Sequence, residues 1–199
     1  MSSRTTPPFR ADHVGSLLRP KEVLQAREDH KQGRLSAAEL RRIEDEAIRK
    51  VVKVQEDIGL QSITDGEFRR GSWHMDFLYQ IGGVTKVMDN LKIQFRNERG
   101  VIEFTPAALK VTDKLKLEKC IFGDDFLFLK SVTKGTPKLT IPSPSMMHYR
   151  GGRAAIDASV YPDMEAFWDD LAQVYADEIE ALNKLGCTYL QLDHTSLAY

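Results

Sequence analysis

The residues best suited to chemistry are the carboxylates Asp65 and Glu67, which flank Gly66. The surrounding segment, 55–70, predicts the end of a helix, a stop at Gly59, a short buried strand and then this charged turn. Ligands of α/β sheets bind just beyond the carboxyl ends of the strands. Two carboxylates at such an end suit acid–base chemistry or the recognition of an amine.

Asp193 ends a second segment of the same design. An apolar-striped helix that begins after Pro162 is stopped by Gly186, and a strand at 187–192 then leads to this aspartate. A helix, a glycine, a short strand and an acidic residue therefore occur twice in the same order. Alternation of helices and strands with polar strand ends predicts a parallel α/β sheet.

The elements that position these residues follow from periodicity. Three helices are expected in addition to the one after Pro162. The first spans 21–30, the second begins at a capping box formed by Ser36 and Glu39, and the third spans 124–133. The second of these helices carries apolar residues three and four apart: Leu40, Ile43, Ala47, Val51, Val54 and Ile58. Further strands are expected at 9–16, 60–64 and 138–141. Alternation at 91–95 and 101–105 predicts a β-hairpin within an insertion at 84–119 that partly covers the site.

The count of these units limits the fold. A complete (β/α)8 TIM barrel needs eight strands and about 250 residues, whereas this chain has 199. We therefore predict an α/β fold of TIM-barrel type, truncated to about the first four βα units, with residues 1–199 forming one incomplete domain. A half barrel leaves strand edges unpaired, so we expect the chain to associate, most simply as a homo-oligomer.

Composition excludes several classes of function. With 42% hydrophobic and 29% charged residues and a net charge of -1, the chain is expected to be soluble. It lacks the basic stripe of a nucleic-acid-binding protein and the apolar run of about 20 residues that spans a membrane. Because the first eight residues are polar, no secretory signal is expected, and the two cysteines, Cys120 and Cys187, are expected to be free thiols in the cytoplasm.

Five segments together resemble the cobalamin-independent methionine synthase family. They are Asp-His-Val-Gly-Ser-Leu-Leu-Arg-Pro at 12–20, Gln-Glu-Asp-Ile-Gly-Leu at 55–60, Thr-Asp-Gly-Glu-Phe-Arg-Arg at 64–70, Trp-His-Met-Asp-Phe at 73–77 and Tyr-Leu-Gln-Leu-Asp at 189–193. The resemblance is strongest to short, single-barrel members related to the catalytic C-terminal barrel of the two-barrel enzyme. It covers nearly the whole chain and identifies it with the N-terminal half of that barrel.

The resemblance implies an S-methyltransferase that makes methionine by moving a methyl group to the thiol of homocysteine. The methyl donor would be a folate or methylcobalamin, and a zinc ion would present the thiol as a thiolate. The family's zinc ligands are a His-x-Cys pair, a Glu and a second Cys, in the second half of the barrel. This sequence contains no His-x-Cys, so the resemblance places neither the catalytic residues nor the metal ligands in this chain.

The resemblance also implies an amino-acid pocket. Gly15 and Ser16 would hold the substrate carboxylate, and Glu67 and Asp193 would receive its ammonium group. Four further residues are assigned to the methyl-donor side or to the pocket wall: His13, Trp73, Ser143 and His148.

The chain is thus interpreted as the amino-acid-binding half of an enzyme similar to 5-methyltetrahydropteroyltriglutamate–homocysteine S-methyltransferase. Two alternatives stay open. One is another enzyme of the barrel superfamily, a decarboxylase or a corrinoid-dependent thiol methyltransferase. The other is a non-catalytic fragment that serves as a binding module.

Overall fold

A computed structural model describes residues 6–9, 11–87, 93–97, 100–104, 108–149 and 151–195. The α-helices among them are α1 Lys21–Lys31, α2 Ala37–Asp57, α3 Met75–Leu78, α4 Gly123–Val132 and α5 Met164–Lys184. The strands are β1 Ser62–Ile63, β2 Gly82–Val87, β3 Ile93–Asn97, β4 Gly100–Phe104, β5 Ala108–Lys116, β6 Thr136–Pro137, β7 Leu139–Pro142 and β8 Leu190–Asp193. Short 3-10 helices lie at Pro144–Met147 and Gly152–Ala155.

The chain divides into two compact units. The first comprises Met1–Trp73, Phe122–Ile141 and Ala181–Asp193, and the second comprises His74–Ile121, Pro142–Glu180 and His194–Tyr199. None of the helices in the described ranges is long and apolar enough to cross a membrane.

Helix α2 begins at the predicted capping box. The Ser36 hydroxyl accepts a hydrogen bond from the Glu39 N–H, and a Glu39 carboxylate oxygen accepts one from the Ser36 N–H. These two bonds satisfy backbone donors that a helix start otherwise leaves unpaired.

The buried face of α2 differs from the predicted stripe. Val54 and Ile58 are 56% and 70% exposed. The buried residues of the helix are Glu44, Ala47, Ile48, Val52 and Gln55. Spacings of three and four residues describe two neighbouring stripes on one helix. Packing against Val23, Phe68 and Leu129 decides which stripe is buried. These residues lie outside the helix, so its own sequence pattern does not identify the buried stripe.

The first unit contains the parallel pairing that the helix–strand order predicted. Strand β1 pairs in parallel with β6, and β7 pairs with β8. The predicted strand at 60–64 shortens to two residues, and the predicted strand at 9–16 was wrong. In the described part of that segment, one isolated parallel bridge joins Ser16 to Gly66. Side-chain hydrogen bonds, rather than a continuous ladder, hold this segment beside the sheet.

One such group of bonds surrounds Asp12. Its carboxylate accepts hydrogen bonds from Ser62, from the Tyr189 hydroxyl and from the fully buried Lys138 ammonium. Burial acts to raise the pKa of Asp12, but the bonds from Tyr189, Ser62, the His13 N–H and Lys138 outweigh it and hold the pKa at about 2. The cluster ties the first segment to the starts of three strands.

The second unit contains the predicted hairpin. Strands β3 and β4 pair in antiparallel register from Ile93 opposite Phe104 to Asn97 opposite Gly100. Strand β2 precedes this hairpin in the chain and strand β5 follows it, and these two strands form a second antiparallel pair. Residues 91–92, 98–99 and 105, which also belong to the prediction, lie outside the described residues. That the hairpin covers the site stays a prediction.

The two candidate faces of α2 can be separated by measuring stability. We expect Ile48→Ala to lower the free energy of unfolding by about 2–5 kcal/mol, because it opens a cavity in a close-packed core. Ile58→Ala, the matched control at an exposed position, should change it by no more than about 0.5 kcal/mol. Urea unfolding followed by circular dichroism measures both, and similar losses for the two variants would contradict this account of the buried face.

Candidate amino-acid-binding site

The turn after β1 has an uncommon backbone. Gly66 and Glu67 have φ values of 67° and 57°, in the left-handed region that residues other than glycine seldom occupy. The Arg19 guanidinium donates hydrogen bonds to the carbonyl oxygens of Glu67 and Arg70, at 2.9 and 3.0 Å. The Arg27 guanidinium donates to the carbonyl oxygens of Arg70 and Phe68. These bonds hold a conformation that would otherwise cost about 1–3 kcal/mol.

Gly15 comes into close contact with this turn. Its φ is 126°, and a Cβ atom there would lie 2.6 Å from Thr140 Oγ1 and 3.4 Å from Glu67 Oε1. Its carbonyl oxygen accepts a hydrogen bond from the Thr64 hydroxyl at 2.7 Å. The backbone of the first segment therefore lies beside the Glu67 carboxylate, and the Thr140 hydroxyl together with the positive φ restricts this position to glycine.

Gln55 of α2 supports the same turn from behind. This residue is 3% exposed. Its side-chain oxygen accepts the Thr64 N–H at 3.0 Å, and its Nε2 donates to the Thr64 carbonyl oxygen at 2.8 Å. The amide side chain thus pairs with Thr64 as a neighbouring strand would. The sequence predicted no role for Gln55, Thr64 or Thr140; the available signal for Gln55 and Thr64 was their place in the segments that resemble the family.

The Glu67 carboxylate is buried and incompletely hydrogen-bonded. The residue is 3% exposed, Oε1 lies 3.7 Å from Arg70 Nη1, and Oε2 has no hydrogen-bond partner. Burial raises the pKa of Glu67 above its ordinary value; Arg70 opposes the rise, and Asp65 and Asp193 add to it. A buried polar atom without a partner needs an explanation, and a ligand ammonium group would supply one.

Asp193 lies within electrostatic range of Glu67 at the end of β8. Its carboxylate accepts a hydrogen bond from Gln191 Nε2, which also donates to the Val14 carbonyl oxygen at 3.2 Å. The side chain is half-buried. Two carboxylates that influence each other at the ends of two strands form an environment that favours a cation.

The four residues predicted for the pocket thus belong to one region of the first unit. Gly15 lies beside Glu67, the exposed Ser16 is bridged to Gly66, and Asp193 is joined through Gln191 to the segment before Gly15. The Asp65 carboxylate accepts the Glu67 N–H at 2.8 Å and so helps to shape the turn. Carboxylates that face a glycine–serine segment suit a ligand that carries an ammonium group and a carboxylate.

The other predicted residues are divided between the units. His13 is half-buried in the first unit, and neither of its ring nitrogens has a hydrogen-bond partner. Trp73 is half-buried in the same unit. Ser143 and His148 belong to the second unit, where Ser143 is hydrogen-bonded to Ser145 and the His148 ring lies 5.3 Å from that of Trp168. Their roles at the donor side stay predictions.

The described residues do not fit a zinc centre. Within the described ranges, no group of three or more His, Cys, Asp and Glu side chains is arranged to hold a metal ion. Both cysteines are free thiols, as expected. Burial raises the pKa of Cys187, which disfavours the thiolate that binds a metal.

Comparison with known proteins identifies related sequences. The profile of the family described as "Cobalamin-independent synthase, Catalytic domain" matches residues 9–117, more than half of the chain. The Bacillus subtilis protein YxjH, which is uncharacterized, is 44% identical over 95% of this chain and 48% of its own length. A methionine synthase of Pyrococcus furiosus is 26% identical over 92% of this chain and 51% of its own length.

Solved structures agree with this assignment. A Listeria monocytogenes protein, provisionally assigned as a vitamin-B12-independent methionine synthase, has a TM-score of 0.80 and 41% identity over 98% of this chain and 55% of its own. A B12-independent methionine synthase from a Shewanella species, solved in complex with selenomethionine, has a TM-score of 0.60 and 20% identity over 81% of this chain and 44% of its own. The latter supports the fold alone. The chain spans about half the length of the curated relatives it matches.

The close approach at Gly15 can be tested with a matched glycine. We expect Gly15→Ala to destabilise the protein by about 2–4 kcal/mol, since a Cβ collides with Thr140 at an unfavourable φ. Gly33 also has a positive φ, 74°, but nothing lies within 4 Å of its Cβ position. Gly33→Ala should therefore cost only about 1–2 kcal/mol. Urea unfolding of both variants measures the difference, and equal losses would count against the close approach.

Proposed function

The chain belongs to the cobalamin-independent methionine synthase catalytic-domain family, and from this premise we propose that it binds the amino-acid part of the substrate in methyl transfer to homocysteine. The proposal depends mainly on the environment of the Glu67 carboxylate. This carboxylate is buried beside Gly15, with one oxygen that lacks a hydrogen-bond partner.

Homocysteine and methionine carry the same ammonium and carboxylate groups, so one pocket serves both substrate and product. In the proposal, Glu67 and Asp193 receive the ammonium group through charge-assisted hydrogen bonds. Gly15 and Ser16 face the substrate carboxylate, with the exposed Ser16 hydroxyl as a donor. The names of the Pyrococcus and Listeria relatives support methionine synthesis as the reaction class.

The proposal for this chain is limited to amino-acid binding. In the family, zinc would present the homocysteine thiol as a nucleophilic thiolate, but the described residues do not provide its ligand set. The methyl donor is proposed to be a folate or a methylated corrinoid. Residues 1–199 are proposed to form one incomplete TIM-barrel domain of about four βα units, in a protein of the cytoplasm.

Isothermal titration calorimetry with L-methionine and L-homocysteine tests the proposal. We expect saturable binding by the wild-type chain. Glu67→Gln and Asp193→Asn should each weaken it by about 10-fold or more, because each removes a charged hydrogen-bond acceptor worth about 1.5–3 kcal/mol.

Two controls make this titration specific. Glu22→Gln removes an exposed carboxylate from the first turn of α1 and should leave the affinity unchanged. N-acetyl-L-methionine keeps the carboxylate and the thioether but lacks the ammonium group, so it should bind poorly. Equal affinities for methionine and its N-acetyl derivative would refute the assigned roles of the two carboxylates.

We also propose that the chain associates with itself through its sheet edges. Among the described strands, each sheet contains only two, and unpaired strand edges promote association. Light scattering over a dilution series should give a mass above 22.6 kDa that falls as the protein is diluted. A monodisperse species of the monomer mass at every concentration would contradict this expectation.

A further inference from the structure

The guanidinium group of Arg70 is fixed beside Glu67. Arg70 is 3% exposed, and its Cζ atom lies 4.2 Å from the centre of the Phe122 ring. Its backbone N–H donates to the Glu67 carbonyl oxygen at 3.0 Å, and its own carbonyl oxygen accepts hydrogen bonds from Arg19 and Arg27. The backbone bonds anchor the residue, and burial against the Phe122 ring restricts the movement of its side chain.

Arg70 and Glu67 form an ion pair whose nearest atoms are too far apart for a hydrogen bond. Arg70 Nη1 lies 3.7 Å from Glu67 Oε1, whereas charged hydrogen bonds are usually about 2.7–2.9 Å long. Neither Arg70 Nη1 nor Glu67 Oε2 has a hydrogen-bond partner. The arginine therefore supplies positive charge without using the lone pairs of the carboxylate, which remain available to a ligand.

The charges around Glu67 oppose one another. Asp65 and Asp193 are negative and, together with burial, favour the neutral carboxyl group. Arg70 and Arg19 are positive and favour the carboxylate, with Arg70 the stronger of the two. A neutral carboxyl group cannot balance the charge of an ammonium group, so the outcome of this competition affects how strongly Glu67 can bind one.

We propose that Arg70 is a positioning residue that keeps Glu67 ionised and directs its free oxygen to the ligand ammonium group. The inference rests on the proposed amino-acid-binding role of Glu67 and adds the residue whose charge supports that role. The long distance between Arg70 and Glu67 matters here. A tight, bidentate ion pair would also keep the carboxylate ionised, but it would occupy the oxygens that the ligand needs.

The charge of Glu67 can be measured without any ligand. In protein labelled with ¹³C at glutamate side-chain carboxyl groups, the Glu67 signal is identified by its loss in Glu67→Gln. In Arg70→Gln, which keeps a donor amide but removes the charge, the titration midpoint of Glu67 should rise by about 1–3 pH units. Arg70→Lys, which keeps the charge, should restore most of the wild-type midpoint.

Two further variants serve as a substitute and as a control. Arg70→Met occupies similar space over Phe122 and replaces Arg70→Gln if that variant does not fold. Arg34→Met removes an arginine whose side chain is 55% exposed and paired with Asp29, and it should leave the Glu67 midpoint unchanged. An unshifted Glu67 midpoint in both uncharged Arg70 variants would overturn the inference.

Methionine titrations at several pH values then separate this inference from the proposed function. If Arg70 acts through the charge of Glu67, the pH below which affinity is lost should shift upward in Arg70→Gln by about the same 1–3 units. A shifted Glu67 midpoint together with no methionine binding by the wild type would refute the proposed function and leave the charge-setting role intact. Wild-type binding with an unchanged pH profile in Arg70→Gln would refute the role of Arg70.

Discussion

The candidate site depends on the close approach between the backbone of Gly15 and the carboxylate of Glu67. This approach brings together two segments that are separated in the chain by a helical hairpin, and the neighbouring Thr140 hydroxyl leaves no space for a Cβ atom on Gly15. The turn beside it has a left-handed backbone at Glu67, whose side chain is buried. The glycine, the turn and the buried carboxylate therefore form one structural unit, in which each part limits the choices at the others.

Arginine side chains maintain that unit. Arg19 and Arg27 satisfy carbonyl oxygens of the turn that no strand partner reaches. Arg69 is almost wholly buried and forms ion pairs with Asp45 of α2 and Asp125 of α4, at 2.6 and 3.1 Å. Removing one member of a buried ion pair is costly, because the partner charge remains buried. These pairs join the turn to the helices behind it, so the site rests on rigid elements.

Gln55, Thr64 and Glu67 are all buried near the turn but differ in how their side-chain polar atoms are hydrogen-bonded. Gln55 and Thr64 are buried, and their side chains complete hydrogen bonds with the backbone. Glu67 is buried to a similar degree but retains an oxygen without a partner. An unsatisfied carboxylate oxygen in a buried site lowers the stability of the protein. A ligand that donates a hydrogen bond to this oxygen would remove that cost. This contrast favours Glu67 as the ligand-facing group and the other two as supports.

The sequence by itself determined the long helices α2 and α5, the β3–β4 hairpin, the capping box at Ser36 and the acidic residues Glu67 and Asp193 after or at the end of short strands, because these depend on local periodicity, on backbone preferences and on recognisable motifs. The tertiary structure decided which of two adjacent stripes of α2 is buried, and it replaced the expected first strand by one bridge at Ser16 and side-chain hydrogen bonds. It also decided that Arg70 lies near Glu67 without closing a hydrogen bond to it. Such features depend on contacts between residues distant in the chain, whose geometry no local pattern encodes.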